Sequence, residues 1–292
     1  MHGAILVGTY HKTGTVWLLC VFRELARKLS VPFYDVSSDF MPSEEQLAQA
    51  LRKIGAERIP CIVFDGHCRF VPGSIDAGWF KGIRMIRDPR DVVVSSARYH
   101  AWSREEWLHR PKDSFGGLSY QQQLNSYREL DDKLLFEMRH SAKHTILQML
   151  NFRGGGVFAT VRYEDLITDY RLELWHRVLA HLGLSGDLVP LADQAFLDNT
   201  IFGNQGLLEQ EHVQNGKPRQ YEKVFSQAVA KRFAQRFPGV AADLGYPAQE
   251  EPLSLAARYY KYANRHYYDL SRLKALGWKL LKKANHCTRP RY

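Results

Sequence analysis

Short apolar runs alternate with amphipathic stretches along most of the chain, and the alternation predicts its elements. Residues 4–7 (Ala4, Ile5, Leu6, Val7) form a brief apolar run closed by Gly8, as a buried strand would. After a Gly/Thr/Lys turn, Val16, Leu19, Phe22, Leu25 and Leu29 recur at helical spacing. Pro42-Ser43-Glu44-Glu45 reads as a helix start ahead of Leu47, Leu51 and Ile54. Residues 61–64 and 83–86 are two further apolar strands, and Asp88-Pro89 opens a helix with Asp as cap and Pro in the first turn. The amphipathic stretch 119–152 predicts one long helix ended by Gly154-Gly155-Gly156. Residues 157–161 follow as a fourth strand and 173–182 as another helix. This order predicts an α/β fold: a central, mainly parallel sheet with helices on both faces.

The pattern changes at the C-terminal end. Leu255, Tyr259, Tyr262, His266, Leu270, Leu273 and Leu280 keep helical spacing, while Arg258, Arg265, Arg272 and Lys279 recur every seven residues. Residues 252–292 hold ten Lys/Arg and one acid, Asp269, so the formal net charge of +9 belongs to this segment. We therefore divide the chain into an α/β domain, 1–251, and a basic amphipathic helical tail, 252–292. The tail is compatible with a packed terminal helix whose basic face is solvated, and equally with peripheral contact to an anionic membrane surface or an acidic acceptor. No recognition motif points to nucleic acid. The apolar N-terminal run is too short for a signal-peptide core or a membrane span, which predicts a cytoplasmic protein. Cys20, Cys61, Cys68 and Cys287 contain no C-x-x-C pair and read as reduced thiols. No His/Cys or acidic array has metal-ligand spacing.

The chemistry is concentrated in Gly8-Thr9-Tyr10-His11-Lys12-Thr13-Gly14-Thr15-Val16-Trp17. A strand turning through Gly14 into a helix points backbone N–H groups into one concavity at the positive end of the helix dipole. Lys12 adds a full charge, and Thr13 and Thr15 add hydroxyls. Such a loop suits a phosphate or sulfate; read alone it is also compatible with a Gly-containing turn and a solvated Lys. A Walker A loop places Lys after its last Gly, whereas Lys12 precedes Gly14. Arg87 ends an apolar strand, where ligands of open α/β sheets collect, and its planar guanidinium suits a phosphate. Ser95 lies on the helix that follows.

Three segments in order resemble the cofactor-dependent sulfotransferase family over about the first 240 residues. The loop resembles the family's Lys-Ser-Gly-Thr-Thr-Trp loop, residues 86–95 its second motif, and Arg-Tyr-Glu-Asp-Leu at 162–166 its third. The resemblance implies a P-loop-like α/β fold and binding of 3′-phosphoadenosine-5′-phosphosulfate (PAPS), with 3′-phosphoadenosine 5′-phosphate (PAP) as product. It assigns Lys12, Thr13, Gly14, Thr15, Val16 and Trp17 to the 5′ end, Arg87 and Ser95 to the 3′-phosphate, and Tyr163 to the adenine. It also implies a catalytic pair of Lys12 and His67, the latter twenty residues before Arg87 and placed to take a proton from an acceptor hydroxyl, less often an amine.

Departures are equally visible. Asp65-Gly66-His67 stands where the family has Lys-Thr-His, Val16 replaces a loop Thr, and Gln214-Asn215-Gly216 replaces Arg-Lys-Gly. Gly216 persists, and Lys217 or Arg219 is expected to supply the missing charge; Phe202 is the candidate adenine-stacking ring. The expected activity is in-line sulfuryl transfer to a small-molecule or glycan acceptor. The alternatives are a P-loop kinase or nucleotide hydrolase, and a PAP-binding module without catalysis.

Overall fold

The computed structural model describes residues 3–37, 43–71, 73, 75–200, 216–247 and 255–269. Five strands, β1 (Ala4–Gly8), β2 (Phe33–Asp35), β3 (Ile62–Asp65), β4 (Phe80–Ile86) and β5 (Phe158–Arg162), form one sheet in the order β2-β3-β1-β4-β5. Every pairing is parallel. The strands' near-continuous apolar sequences follow from burial on both faces, since successive side chains point to opposite sides. Ala4, Leu6, Cys61 and Val63 lie in one core cluster, and Ile5, Val7, Ile62 and Phe64 in the other.

Helix α1 (Thr15–Leu29) packs Trp17, Leu18, Val21, Phe22 and Leu25 into the second cluster. Helix α2 (Glu44–Ala56) starts where the sequence indicates, with Ser43 and Gln46 closing a reciprocal capping box. Helix α3 (Pro89–His100) is capped by Asp88, whose carboxylate accepts from the Arg90 N–H, and buries Val92, Val93, Val94 and Ala97 in the first cluster. Helices α1 and α3 thus cover opposite faces. The chain leaves β1 and β4, neighbours in the sheet, for helices on opposite faces, and open α/β sheets bind ligands outside the carboxyl ends at such a switch point.

The stretch 119–152 is three helices, not one: α4 (Glu106–His109) is followed by α5 (Tyr120–Asn125), α6 (Leu130–Glu137) and α7 (Ser141–Leu150). No Gly or Pro marks the breaks, so periodicity runs through them. The second break turns at His140 (φ −124°, ψ −115°) and is fixed by buried polar bonds: the Ser141 N–H donates to Tyr120 Oη and the Ala142 N–H to the Glu137 carboxylate.

After β5 come α8 (Tyr163–Ile167), α9 (Glu173–His181) and α10 (Leu188–Asp198), then α11 (Tyr221–Val224), α12 (Gln227–Arg236), α13 (Val240–Asp243) and α14 (Leu255–Arg265). The described part of the basic tail packs on the domain. Asn264 donates to the Arg236 carbonyl and accepts at its own carbonyl from Asn151, while Arg265 pairs with Asp243 and Arg153 with Asp269. Tyr259 and Tyr262 remain exposed on this helix. The predicted continuation through Leu270, Leu273 and Leu280 lies outside the described residues. Among the described residues no helix is long and apolar enough to cross a membrane.

Candidate active site

The strand order decides which residues meet. Lys12, His67, Arg87 and Tyr163 follow the carboxyl ends of β1, β3, β4 and β5, four adjacent strands. In register, Gly8 faces both Asp65 and Arg84, and Ile86 faces Arg162, so the four loops leave at one level.

The first loop is shaped from within. Thr13 is fully buried; its hydroxyl donates to the Tyr10 carbonyl and accepts from the Tyr10 N–H. The Thr15 hydroxyl also donates to the Tyr10 carbonyl. Both hydroxyls were expected as donors to an anion; in this arrangement they brace the loop instead. What the loop presents is Lys12 and backbone. The Leu18 N–H is the first to close a helical bond, to the Gly14 carbonyl, so the N–H groups of Thr15, Val16 and Trp17 have no helical partner. Replacement of a Thr by Val16 removes a side chain's contribution and leaves these amides in place.

Gly14 adopts φ +99°, and a Cβ there would lie 2.7 Å from Met85 Cε and 3.0 Å from the Tyr163 ring. Gly14→Ala combines a left-handed backbone with overpacking. We expect it to destabilise the fold by about 2–4 kcal/mol, read as a lower urea midpoint at unchanged slope. An unshifted midpoint would remove this account of the loop.

Arg87 is 6% exposed and does three things at once. Its Nη1 donates to the Lys12 carbonyl (3.1 Å), its guanidinium lies 4.6 Å from the Tyr163 ring centroid, and its buried Nε has no partner among the described residues. The Lys12 Nζ sits 3.2 Å from the centre of the Tyr99 ring. Burial, then the neighbouring Arg87 charge, draw the Lys12 ammonium down to about 7, with Glu105 opposing. Glu105 is held in place by the Tyr99 hydroxyl (2.9 Å) and the Trp107 indole N–H (2.6 Å).

The third motif packs against the first loop and Arg87. Tyr163 donates its hydroxyl to the Gly216 carbonyl (2.8 Å) and meets the buried Trp17 ring edge to face. Glu164 accepts from the Asp88 N–H and from Tyr246, fixing the turn that carries Arg87. The late segment docks on α3: Asp91 accepts from the Tyr221 N–H, and Arg98 reaches Gln220. Asp91, Ser95 and Arg98 share one helix face, so Ser95 looks toward this segment. Arg219 is tied to Glu222 at 2.6 Å, whereas the adjacent Lys217 is exposed. Phe202 lies outside the described residues.

His67 is half-buried, with no hydrogen bond to its ring among the described residues. Its position is set by Asp65, a fully buried carboxylate that accepts from the His67 N–H, the Arg69 N–H and the Arg69 guanidinium. Burial pulls the imidazole below the usual histidine value, against Asp65. A Cβ on Gly66 would come within 3.1 Å of Thr15 and Ser37, which accounts for the small residue there. Trp107, Phe115 and Tyr120 pack with Phe136 and Leu124 in a third apolar cluster, a wall beside the site. Sequence reading missed His11: its ring meets His100, which meets Glu137. The only local signal was an imidazole directly before Lys12.

The sulfotransferase domain model matches residues 2–238. The chain belongs to the sulfotransferase family. A mouse sulfotransferase, SULT7A1, solved in complex with PAP, is similar in fold at a TM-score of 0.51 and 14% identity, covering 84% of this chain and 88% of that one. A retinol dehydratase in complex with androsterone and PAP gives a TM-score of 0.44 at 16% identity, covering 85% of this chain and 82% of that one. Among curated proteins none matches the chain.

Proposed function

We propose that this sulfotransferase uses PAPS and transfers its sulfuryl group to a hydroxyl of a small-molecule or glycan acceptor. The observation that carries this reading is electrostatic. Two cations, Lys12 and Arg87, are neighbours at the start of α1, one of them drawn down to about 7, beside a buried guanidinium nitrogen without a partner among the described residues and first-turn amides that have no helical partner. A bound phosphate or sulfate would favour both cations and accept from these N–H groups.

PAPS, when bound, supplies an activated sulfuryl group and two phosphate positions. Lys12 and the first-turn amides of α1 suit the 5′ side, where charge develops on the bridging oxygen of the leaving group. Arg87, Ser95 and the exposed Lys217 suit the 3′-phosphate; Arg219, paired with Glu222, is the weaker candidate. Tyr163, packed edge to face on Trp17, suits the adenine. His67 stands at the neighbouring strand end as an imidazole kept neutral by burial, able to accept the hydroxyl proton at a ring nitrogen.

The first test is a thermal-shift comparison of PAP, ATP and NAD, followed by mass-spectrometric sulfation of an acceptor panel. PAP is expected to stabilise the protein most. Greater stabilisation by ATP, with Mg²⁺-dependent turnover, would favour a kinase or nucleotide hydrolase; PAP binding without sulfation of any acceptor would favour a binding module. Arg87→Ala is expected to weaken PAP by about 10–100-fold in calorimetry, with Arg87→Lys recovering only part because it loses the planar fork. Unchanged affinity in Arg87→Ala would remove the 3′-phosphate assignment.

A further inference from the structure

Behind the cofactor loop lies a chain of three ionisable side chains that the proposed mechanism does not use. Glu137 and His100 are both 0% exposed, while His11, directly before Lys12, is partly exposed. The Glu137 Oε1 lies 2.7 Å from His100 Nδ1, and His100 Nε2 lies 2.8 Å from His11 Nε2. The two imidazole planes are 10° apart with centroids at 5.0 Å. With nitrogens so close and centroids so far, the rings meet edge to edge in a common plane, as a hydrogen bond requires and a face-to-face stack does not.

The protons follow from donor and acceptor capacity. Glu137 also accepts from the Ala142 N–H at the start of α7 and from the Tyr120 hydroxyl. A carboxylate surrounded by donors takes the Nδ1–H of His100. The Nε2 of neutral His100 then has only a lone pair, so His11 donates its Nε2–H and keeps its own lone pair at Nδ1. The broken helix between α6 and α7 is what makes this possible, because it aims Glu137 and the first amides of α7 at the same point.

We infer that His11, backed by His100 and Glu137, is a second proton acceptor of the reacting site beside His67. This rests on the sulfotransferase reading above. The step balances without a further reactant. As the acceptor oxygen forms its bond to sulfur, the bond from sulfur to the bridging phosphate oxygen would break and its electron pair would leave on that oxygen with PAP; His11 Nδ1 takes the hydroxyl proton, and the Nε2 proton of His11 passes to His100 Nε2. His100 then carries both protons between His11 and the buried carboxylate, which compensates its charge. His100 and Glu137 are positioning residues that act through His11. Burial and the nearby His100, Lys12 and His67 hold the His11 imidazole well below the usual value, so it is neutral and able to accept. The other groups that bear on the chain are Glu105 through Tyr99, and Lys112 over the Tyr120 ring.

Two measurements on the full chain test this. Ring-nitrogen NMR of the ¹⁵N-histidine-labelled wild type is expected to show His100 as the Nδ1–H tautomer and His11 as the Nε2–H tautomer, taking up one proton as a linked pair. A Nδ1–H tautomer on His11, or two rings that titrate independently, would overturn the relay whatever the enzyme does. Glu137→Gln keeps an acceptor for His100 but removes the compensating charge. In the His67→Ala background, where His11 is the remaining acceptor, we expect Glu137→Gln to lower the residual kcat for sulfation about tenfold, with acceptor KM and PAP affinity within about twofold and a displaced acid limb of the pH profile. An unchanged kcat would overturn the proposal, as would a loss of kcat matched by a loss of PAP affinity, the mark of a brace. Should the wild type neither bind PAP nor sulfate any acceptor, the functional reading fails separately, and the NMR result decides whether the chain is still a relay.

Discussion

His67→Ala is expected to lower kcat for sulfation by about 10²–10⁴, the range removed when a positioned acid or base is lost, while PAP affinity stays within about twofold. The ring is held by backbone geometry and, among the described residues, by no hydrogen bond of its own: Asp65, locked by Arg69, accepts the His67 N–H. Truncation therefore leaves the turn intact. The pH dependence has a definite sign. Burial lowers the imidazole below its ordinary value near 6.5, so the base form predominates at neutral pH. The wild-type kcat, read with the bound anion holding Lys12 as the ammonium, should rise through that lowered value on the acid side and be level above it, and His67→Ala should lose this limb. Full activity in His67→Ala would remove the base assignment. The residual rate in the variant is also informative, because any dependence on Glu137 there belongs to His11.

What the sequence showed and what it hid divide along a physical line. Strands buried on both faces announce themselves as apolar runs, and residues 4–7, 61–64 and 83–86 fall within or one residue beside β1, β3 and β4. The edge strand β2 is three residues long and half-exposed, so no pattern marked it. The capped starts of α2 and α3 were legible because capping is a local bargain between a side chain and the next few N–H groups. The split of 119–152 was not, because the bonds that break that stretch join α5, α6 and α7 through Tyr120 and Glu137.

The candidate site shows the same division. That Lys12, Arg87 and Tyr163 would meet was legible because loops after parallel strands leave from one end of the sheet. The inward turn of the Thr13 and Thr15 hydroxyls was not, because both answer to a single carbonyl, that of Tyr10. Asp65 read as a departure from a family Lys; it is a fully buried pivot for His67 and Arg69. Nothing local relates His11 to His100 and Glu137, which are 89 and a further 37 residues away.

Lys12→Met is the variant whose outcome reaches furthest, because it joins catalysis to proton linkage. Removing a cation aimed at developing charge is expected to lower kcat by about 10²–10³. The linkage supplies an independent readout. In the free protein Lys12 titrates at about 7, against about 10.4 for an unperturbed lysine. Between those values the unfolded chain binds more protons than the folded one, so on this account stability rises with pH from about 7 to about 10. An anion bound beside Lys12 reverses the shift by favouring the ammonium. Binding of PAP at about pH 8 should therefore draw roughly half to one proton from solution, seen in calorimetry as an apparent enthalpy that depends on the buffer's ionisation heat. In Lys12→Met that dependence should largely vanish while weaker binding persists through Arg87 and the α1 amides. Uptake that is unchanged in the variant would place the titrating group elsewhere, with His11 next in line. A wild type that takes up no proton would mean that Lys12 is already an ammonium, and that the pressure between Lys12 and Arg87 does not drive anion capture.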